Sequence, residues 1–338
     1  MKTLRFRALV LETTDRCNAK CAMCYQAAGP RGSDLRGDSQ LSQEVVLRVI
    51  GEAAEMVEVA NRLHVSGGEA FLHYPETLAA FRRGRECGFS NIGSTTNAFW
   101  AVTEPIAVRR CEELIDAGVD YLEVSADHWH LPYVPLTRVR NLLRAARATG
   151  ISIILRTLTS RSHHLDTLLE SFSETDLAGV LVGNGRVHPV GRGAVKIDPE
   201  DVYYGDGPVG CCEEVLTLTI APNGNVYPCC AGSDMTDSLA SGNVNAESLR
   251  DAVFKMRTDR TIRHVIHAGT GSLIPIVNAL GYGERLRERY DTICHLCWDI
   301  FKDDELAHAL RQHFAEIQVQ EMLALLEAGP TSADTRRP

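Results

Sequence analysis

Three cysteines near the start of the chain, Cys17, Cys21 and Cys24, have the spacing C-x3-C-x2-C. They directly follow an apolar run that predicts a buried strand, so they are expected at the end of that strand. Three thiolates can hold three irons of a four-iron cluster, and the fourth iron then stays open to an outside ligand, as a catalytic cluster requires. A zinc site is the alternative, but structural zinc takes four protein ligands and no histidine stands at a suitable spacing. The spacing therefore favours an iron-sulfur cluster with one open iron.

Most of the other cysteines also fall in groups that suit metal binding. Cys212, Gly224 and Cys229 form a C-x11-G-x4-C pattern, and Cys294 and Cys297 form a later C-x2-C pair. The chain contains 11 cysteines but no recognisable export signal. Thiols stay reduced inside a cell, so metal ligation explains the groups better than disulfides do. These patterns predict a second metal site.

The overall composition limits the classes of partner. The chain has 338 residues and a formal net charge of -9, which is enough length for one large domain and a smaller one. The negative charge argues against nucleic acid and anionic membrane surfaces, because both reward clustered Lys and Arg. No apolar run approaches the roughly 18 residues of a membrane span, and the first apolar segment is too short for a signal peptide. We therefore expect a cytoplasmic protein whose substrates are small and neutral or cationic.

The elements that position these groups follow from the apolar pattern. Short β-branched runs alternate with helical segments, which predicts strand-helix units in series. The expected strands cover 6–12, 63–66, 92–96, 121–125, 151–158 and 180–182. Because crossovers between parallel strands are right-handed, six such units form a partial TIM-like barrel with functional residues at the C-terminal strand ends. The predicted class is α/β, a partial (β/α)6 barrel followed by a small α+β domain.

A change of composition marks the expected end of the barrel. A glycine-rich segment follows about residue 184, and the apolar runs 215–220 and 225–227 then flank an Asn-Gly pair, a strong hairpin signal. We expect the barrel over 1–200 and the domain for the second metal site over 201–303. A helix over 304–328 and a flexible tail over 329–338 complete the predicted organisation.

At the first cysteine motif the sequence resembles the radical S-adenosylmethionine (SAM) superfamily. That family uses C-x3-C-x-Φ-C, where Φ is usually aromatic. Here Met23 takes that position and Tyr25 follows the last cysteine. The resemblance implies that the three cysteines hold a [4Fe-4S] cluster, that Met23 and Tyr25 lie beside SAM, and that SAM is cleaved to a 5′-deoxyadenosyl radical. It also implies an external one-electron reductant of the flavodoxin or ferredoxin type.

Two further motifs at predicted strand ends support the resemblance. Gly67, Gly68 and Glu69 match the family's Gly-Gly-Glu motif, which binds the methionine amino group of SAM. Glycines allow a close backbone approach and a carboxylate complements an ammonium, although the same tripeptide alone is more often an ordinary turn. Thr96 and Asn97 resemble the family's segment near the SAM ribose, with alanine where glycine is common.

The resemblance places three more polar residues near SAM. Ser125 begins a Ser-x-Asp segment at the end of the fourth predicted strand. Arg156 is a charged residue in an apolar strand and needs an anionic partner, which is either the SAM carboxylate or an acidic residue at the barrel end. Arg192 belongs to a segment like the one that leads into the auxiliary module of relatives, where it could pair with the SAM carboxylate or position substrate.

The later cysteine groups resemble the twitch domain, a shortened relative of the SPASM domain that holds one auxiliary [4Fe-4S] cluster. The resemblance implies Cys212, Cys229, Cys294 and Cys297 as its ligands, and no later cysteine follows to hold a second auxiliary cluster. Zinc is the competing metal, because spacing alone does not separate it from iron-sulfur. The expected cofactors are SAM and two [4Fe-4S] clusters.

Five residues are candidates for catalysis. Cys211 and Cys230 stand beside the implied ligands, and the two doublets leave open which member of each is the ligand. A spare thiol near a cluster can donate a hydrogen atom to a substrate radical, or it can simply be buried. Asp127, His128 and His130 follow a strand end, where histidine could transfer protons, although a structural loop role stays open for them.

The fate of the substrate radical separates the possible functions. An auxiliary cluster that accepts an electron suits dehydrogenation and a thiol donor suits epimerisation, in each case of a sugar, an aminoglycoside or a peptide. Peptide cross-linking and a non-catalytic iron-sulfur protein are the alternatives. The cyclase of molybdenum cofactor synthesis is disfavoured, because that family ends in Gly-Gly and this sequence ends in Arg-Arg-Pro. A small-molecule or short-peptide substrate is expected, with no nucleic acid or membrane partner.

Overall fold

Eight strands of the chain form a single sheet. The computed structural model describes residues 4–205, 207–213, 215–230 and 236–327. The strands are β1 (Leu9–Glu12), β2 (Arg62–Ser66), β3 (Asn91–Thr96), β4 (Tyr121–Ser125), β5 (Ser152–Thr159), β6 (Leu181–Arg186), β7 (Leu218–Ile220) and β8 (Val226–Tyr227). Their order across the sheet is β6-β5-β4-β3-β2-β1-β7-β8.

The six strands from β1 to β6 pair in parallel with their sequence neighbours. Helices occupy the connections, as parallel pairing requires. The helices of the described residues are α1 (Gln43–Ala54), α2 (Tyr74–Glu86), α3 (Glu104–Asp116), α4 (Leu136–Thr149), α5 (Leu165–Leu169), α6 (Glu174–Leu177), α7 (Gly193–Lys196), α8 (Leu249–Thr258), α9 (Arg260–Ala268), α10 (Leu273–Ala279), α11 (Ile293–Phe301) and α12 (Asp304–Glu327). The predicted partial (β/α)6 barrel is confirmed.

Alternation along the strands decides which face is core and which is cavity. In β2, Leu63 and Val65 are fully buried in the hydrophobic core. Their neighbours Arg62, His64 and Ser66 line a cavity on the other face of the sheet. Because successive side chains of a strand point to opposite faces, one face packs against the core and the other stays polar. The inner side of this partial barrel is therefore a polar cavity.

The predicted hairpin forms, but it does not stand as a separate β unit. Strands β7 and β8 pair antiparallel around the Asn-Gly turn, where Gly224 has a φ of 90°. Strand β7 also pairs in parallel with β1, with Leu9 opposite Leu218. An unpaired edge strand exposes backbone donors and acceptors, and this pairing satisfies those of β1. The sheet thus continues from the predicted barrel domain into the predicted second domain.

The C-terminal helices pack on the barrel and on one another. Helix α8 lies against α1, where the backbone N–H of Leu249 donates to Glu52 Oε2 at 2.6 Å. Helix α12 packs on α9 and α11 through buried residues, among them Leu306 and Phe314. Among the described residues, no helix is long and apolar enough to cross a membrane. The predicted tail, 329–338, lies outside the described residues.

Candidate active site

The loop after β1 presents three thiols to a single cavity. Cys17, Cys21 and Cys24 line this cavity, the main cavity, which has a volume of about 580 Å³. Backbone hydrogen bonds fix the loop, with the Cys17 N–H donating to Gly29 at 3.0 Å and the Cys24 N–H donating to Cys21 at 3.2 Å. Burial raises the pKa of the Cys17 thiol. Thiols kept neutral by burial become thiolates when a metal binds, so this donor set fits an iron-sulfur cluster.

Arg192 binds the backbone of the cysteine loop. Its guanidinium donates to the carbonyl oxygens of Cys21 at 2.9 Å and Ala28 at 2.7 Å, and also bonds that of Ala27. It further bonds Asp34 Oδ2 at 2.9 Å. The side chain is buried and its donors are used by the loop, so the expectation that Arg192 contacts the SAM carboxylate or the substrate is corrected. The sequence does not show that the residue just before α7 packs against the cysteine loop, because this contact is between distant segments.

The Gly-Gly-Glu turn after β2 is attached directly to the start of the cysteine loop. The backbone N–H of Gly68 donates to Thr14 at 2.6 Å, and that of Glu69 donates to Arg16 at 2.9 Å. A Cβ on Gly68 would lie 2.2 Å from the Arg16 carbonyl oxygen, and Gly67 has a φ of 138°. Only glycine fits both positions without a backbone shift. The turn therefore sets the distance between the Glu69 carboxylate and the thiols.

Glu69 connects this turn to the end of β3. Its carboxylate accepts hydrogen bonds from the Thr96 hydroxyl at 2.9 Å and from the Asn97 backbone N–H at 2.8 Å. Burial raises its pKa to about 7, against the opposing effect of these donors. The Asn97 side chain points back to the cysteine loop and donates to Asn18 Oδ1 at 2.9 Å. Ala98, with a φ of 63°, occupies a left-handed backbone conformation that favours glycine.

The walls of the main cavity contain the remaining predicted SAM-site residues. Met23 and Tyr25 line it beside the cysteines, and Ser125 lines it at the end of β4. The Tyr25 hydroxyl donates to Glu12 Oε1 at 2.8 Å. Arg156 also lines the cavity, and its Nε lies 3.4 Å from Glu123 Oε2. The structure thus gives Arg156 the barrel-end acidic partner that was one of its two predicted alternatives.

Some residues of the polar loop after β4 line the main cavity and others do not. Asp127 and His130 line the main cavity and are joined at 2.8 Å between Oδ1 and Nδ1. Burial lowers the pKa of His130, but the charge of Asp127 and the hydrogen bond to it outweigh this effect and raise it. His128 does not line the cavity and stacks instead on His163, with ring centroids 3.6 Å apart. The structure therefore brings Asp127 and His130 to the cavity but not His128, whose catalytic role stays a prediction.

A second, small cavity, the auxiliary cavity, collects the later cysteines. It is lined by Cys212, Cys229, Cys294 and Cys297, and its other lining residues are apolar. Burial raises the pKa of Cys212 and of Cys294 to about 12. Among the described residues, no three metal-binding side chains converge on a single ion. The thiols surround an apolar volume instead, a donor set that fits an iron-sulfur cluster.

The cysteine doublets separate in space. Cys211 is exposed and lines neither cavity, so the structure does not bring this candidate hydrogen-atom donor to the site. Cys230 lines the main cavity, whereas its neighbour Cys229 lines the auxiliary cavity. The Thr217 hydroxyl lies 3.8 Å from the Cys230 sulfur. The two adjacent thiols thus lie in different cavities, in the irregular segment after β8.

The main cavity also contains residues that sequence reasoning did not assign. They belong to strands or lie within two residues of a strand end. The sequence did contain a signal for the strand residues among them. A polar residue at every second position of a strand indicates a face that does not pack in the hydrophobic core. Among the unassigned cavity residues are Arg7, Arg62, His64, Glu123, Arg186, His188 and Thr217.

The partial barrel and its cysteine loop define the class of protein, a SAM-dependent iron-sulfur enzyme. Residues 11–168 match the radical SAM superfamily, and residues 211–298 match the SPASM iron-sulfur cluster-binding domain. The chain belongs to the radical SAM superfamily and carries a SPASM-type auxiliary domain. Its cofactors are SAM and two [4Fe-4S] clusters, as predicted.

The chain is similar to proteins with different assigned reactions. YydG of Bacillus subtilis (strain 168), which is named as a peptide biosynthesis protein, is 20% identical over 309 residues, 88% of this chain and 93% of the relative. The GTP 3′,8-cyclase of Vibrio parahaemolyticus serotype O3:K6 (strain RIMD 2210633) is 23% identical over 328 residues, 82% of this chain and 95% of that protein. The solved structure of native anSMEcpe with bound AdoMet and Cp18Cys peptide superposes with a TM-score of 0.53 at 13% identity, covering 96% and 99% of the two chains. That likeness establishes the fold.

Proposed function

We propose that this chain is a radical SAM epimerase that inverts one stereocentre of a peptide. The observation that carries the proposal is the position of Cys230, which lines the same cavity as Cys17, Cys21 and Cys24. An epimerase removes a hydrogen atom from one face of a carbon and returns one to the other face. A thiol is well suited to return it, because its S–H bond is similar in strength to the Cα–H bond that forms and much weaker than a hydroxyl O–H bond.

The other cavity groups have separate roles in this proposal. The three cysteines of the first loop hold the SAM-binding cluster, and Glu69 binds the ammonium of SAM as its charge partner. Bound there, SAM supplies the radical that removes a hydrogen atom from the substrate. Cys230 then donates its hydrogen atom to the substrate radical. Cys212, Cys229, Cys294 and Cys297 would hold the auxiliary cluster, which would supply one-electron chemistry, and Cys229 is the residue next to Cys230.

A peptide is the substrate class with the most support. YydG, which is named for peptide biosynthesis, matches most of this chain and of its own length. The anSMEcpe structure, which matches in fold, contains SAM together with a peptide. A residue of a peptide also offers the Cα–H bond that epimerisation requires.

Deuterium uptake from solvent tests the reaction type. Peptides encoded by genes beside this one are incubated anaerobically in D₂O with the reconstituted enzyme, SAM and dithionite, and the products are analysed by mass spectrometry and chiral amino-acid analysis. Because the Cys230 thiol exchanges with solvent, one deuterium is expected at the inverted carbon. A product lighter than the substrate by two hydrogens would instead identify dehydrogenation or cross-linking and would overturn the proposal.

Glu69→Gln tests the proposed SAM contact through pH. Burial raises the pKa of Glu69 to about 7, so its carboxylate is lost as the pH falls through that value. SAM affinity is then expected to weaken roughly tenfold per pH unit below the pKa, because only the carboxylate pairs with the ammonium. Glu69→Gln is expected to remove this dependence and to weaken binding roughly tenfold to a hundredfold at pH values above it. Anaerobic calorimetry with SAM measures both effects.

The control for this pH experiment is Glu123→Gln, a second carboxylate in the same cavity that pairs with Arg156 instead. This variant is expected to keep the wild-type pH dependence of SAM binding. If Glu69→Gln binds SAM with an unchanged pH profile, another group controls the affinity and the assignment of Glu69 fails.

A second candidate is cyclisation of a purine nucleotide. A relative named as a GTP 3′,8-cyclase matches 82% of this chain. Four arginines line the main cavity, and arginine pairs well with phosphate, so the cavity suits a phosphorylated substrate although the net charge of the chain is negative. These arginines are Arg7, Arg62, Arg156 and Arg186. Incubation of the reduced enzyme with SAM and GTP distinguishes the two candidates, since only the cyclase converts GTP to a cyclised product.

A further inference from the structure

A chain of hydrogen bonds on the inner face of the sheet ends at the Thr95 hydroxyl. Arg62 Nη2 donates to the Tyr121 hydroxyl at 2.7 Å, and this hydroxyl lies 2.9 Å from His64 Nδ1. His64 Nε2 lies 2.8 Å from Thr95 Oγ1. Arg62, His64 and Thr95 all line the main cavity. The proposed function assigns no role to His64, Tyr121 or Thr95.

The direction of each hydrogen bond follows from the chemistry of the groups. A guanidinium only donates, so the Tyr121 oxygen accepts from Arg62 and the Tyr121 proton is left for His64 Nδ1. Burial and the charges of Arg62 and Arg156 lower the pKa of His64 to about 3, so its imidazole is neutral and has its single proton on Nε2. Nε2 then donates to Thr95. Within the part of the chain that the structure describes, Thr95 has no second side-chain partner, so its hydroxyl proton is left for a ligand in the main cavity.

Two arginines share one carboxylate beside Thr95. Glu123 is the register partner of Thr95 on the neighbouring strand β4. Glu123 Oε2 lies 3.4 Å from Arg156 Nε, and Glu123 Oε1 lies 4.0 Å from Arg62 Nη2. Two guanidinium charges and one carboxylate charge leave one positive charge, so this group suits a ligand with a single negative charge. Arg156 contacts Glu123 through Nε, and among the described residues no ion pair or hydrogen bond occupies its two terminal amino groups.

The position along the strands separates this group from the proposed SAM contacts. His64 and Glu123 stand two residues before the last residues of β2 and β4, and Arg62 is the first residue of β2. The rise along a strand places them about 7 Å and about 13 Å before the strand ends. The SAM carboxylate is attached to the same carbon as the ammonium that Glu69 is proposed to bind, so it is expected at the level of the strand ends. A deeper anionic group therefore belongs to the substrate.

We propose that Thr95 and Arg156 bind a carboxylate of the peptide substrate, and that His64 orients the Thr95 hydroxyl toward it. This inference rests on the proposed function, in which the substrate is a peptide. The carboxylate is that of an aspartate or glutamate side chain or that of the peptide C-terminus. A phosphorylated group with several negative charges matches the single positive charge less well, which favours a peptide over a nucleotide. Thr95 and Arg156 contact the substrate, and His64 is a positioning residue.

Peptides that differ in one charge test the inference through binding. Each peptide of the deuterium assay is prepared in its native form, with each aspartate or glutamate changed in turn to its amide, and with an amidated C-terminus. Anaerobic calorimetry with the SAM-loaded, unreduced holoenzyme measures dissociation constants without turnover. One of these changes is expected to weaken binding roughly tenfold to a hundredfold, the usual effect of losing hydrogen bonds to a charged group.

Variants of the cavity wall identify the residues that bind the carboxylate. Arg156→Gln is expected to bind the native and amide peptides equally. Thr95→Val is expected to weaken the native peptide roughly tenfold, and Thr95→Ser to keep its affinity. Glu123→Gln is expected to tighten the native peptide roughly twofold to fivefold, because both guanidiniums are then free, which a purely structural role does not predict. His64→Phe is expected to weaken the native peptide in wild type but not further in Thr95→Val, as a positioning role requires.

The matched control is Arg110→Gln. Arg110 pairs with Glu113 at 2.7 Å on α3 and does not line the main cavity, so this variant changes the net charge equally and is expected to keep the peptide preference. Iron content and SAM affinity show that each variant folds and keeps its SAM site.

The outcomes separate this inference from the proposed function. If no peptide binds, if every amide form binds as the native form does, or if Arg156→Gln keeps the preference, the inference is overturned. Weaker SAM binding in Arg156→Gln with an unchanged peptide preference would assign the anion to the SAM carboxylate and would also overturn it. Preference for the acidic form without any epimerisation would instead overturn the proposed function alone.

Discussion

Replacement of Cys230 by serine is expected to lower epimer formation at least a hundredfold while SAM cleavage continues. The serine hydroxyl occupies nearly the same space but has a stronger bond to hydrogen, so it does not donate a hydrogen atom to a carbon radical. The residues proposed to bind SAM and its cluster are unchanged by this substitution. Product is quantified by chiral amino-acid analysis, and 5′-deoxyadenosine by chromatography of the same samples.

Cys211→Ser is the matched comparison. It makes the same chemical change at a thiol that is exposed and lines neither cavity. It is expected to keep epimer formation near the wild-type level. If Cys211→Ser loses the product and Cys230→Ser keeps it, the assignment of the two thiols is reversed and the cavity lining misidentifies the donor. Loss of 5′-deoxyadenosine in Cys230→Ser would indicate damage to the SAM site.

The fold was predictable because its signals are local. Each of the six barrel strands was expected from a short apolar run, and the structure places a strand at each, although β1 begins at Leu9 and not at residue 6. Phe6 instead forms an isolated bridge to Val59. The hairpin at Gly224 was also local, since the turn type depends on adjacent residues. The pairing of β7 with β1 was not predictable from pattern, because it joins segments far apart in the sequence.

The parts of the site that are local motifs were predictable from the sequence, and the parts that depend on long-range contacts were not. The Gly-Gly-Glu turn and the first cysteine loop are short motifs with fixed spacing, and the structure brings them together through backbone hydrogen bonds from Gly68 and Glu69. The choice between Cys211 and Cys212 needed the direction of two adjacent side chains, which spacing does not give. The His188–Asp291 contact joins residues 103 positions apart, so no sequence pattern marks it.

Replacement of Arg192 by leucine is expected to destabilise the protein by about 1–3 kcal/mol and to lower loading of the first cluster. Only 7% of Arg192 is exposed, and its guanidinium donates to three carbonyl oxygens of the cysteine loop, those of Cys21, Ala27 and Ala28. Leucine removes the charged donor from all three oxygens, although those of Cys21 and Ala27 keep the backbone N–H groups of Cys24 and Asp34 as donors. The main cost is the loss of the donor to the Ala28 oxygen, since one unsatisfied buried group costs about 1–3 kcal/mol. The contact with Asp34 adds little, because that carboxylate is half exposed.

Lysine at position 192 separates charge from geometry, since its single ammonium cannot reproduce the planar fork that reaches several carbonyls at once. Arg192→Lys is expected to fall between wild type and Arg192→Leu in both thermal stability and iron content. Lys20→Leu is the control, because Lys20 pairs with the same Asp34 at 3.0 Å but is half exposed. Its loss is expected to cost less than about 1 kcal/mol. Full iron content and unchanged thermal unfolding in Arg192→Leu would show that the loop keeps its shape without the guanidinium, and the cluster site would then depend on the cysteines and the Gly-Gly-Glu turn alone.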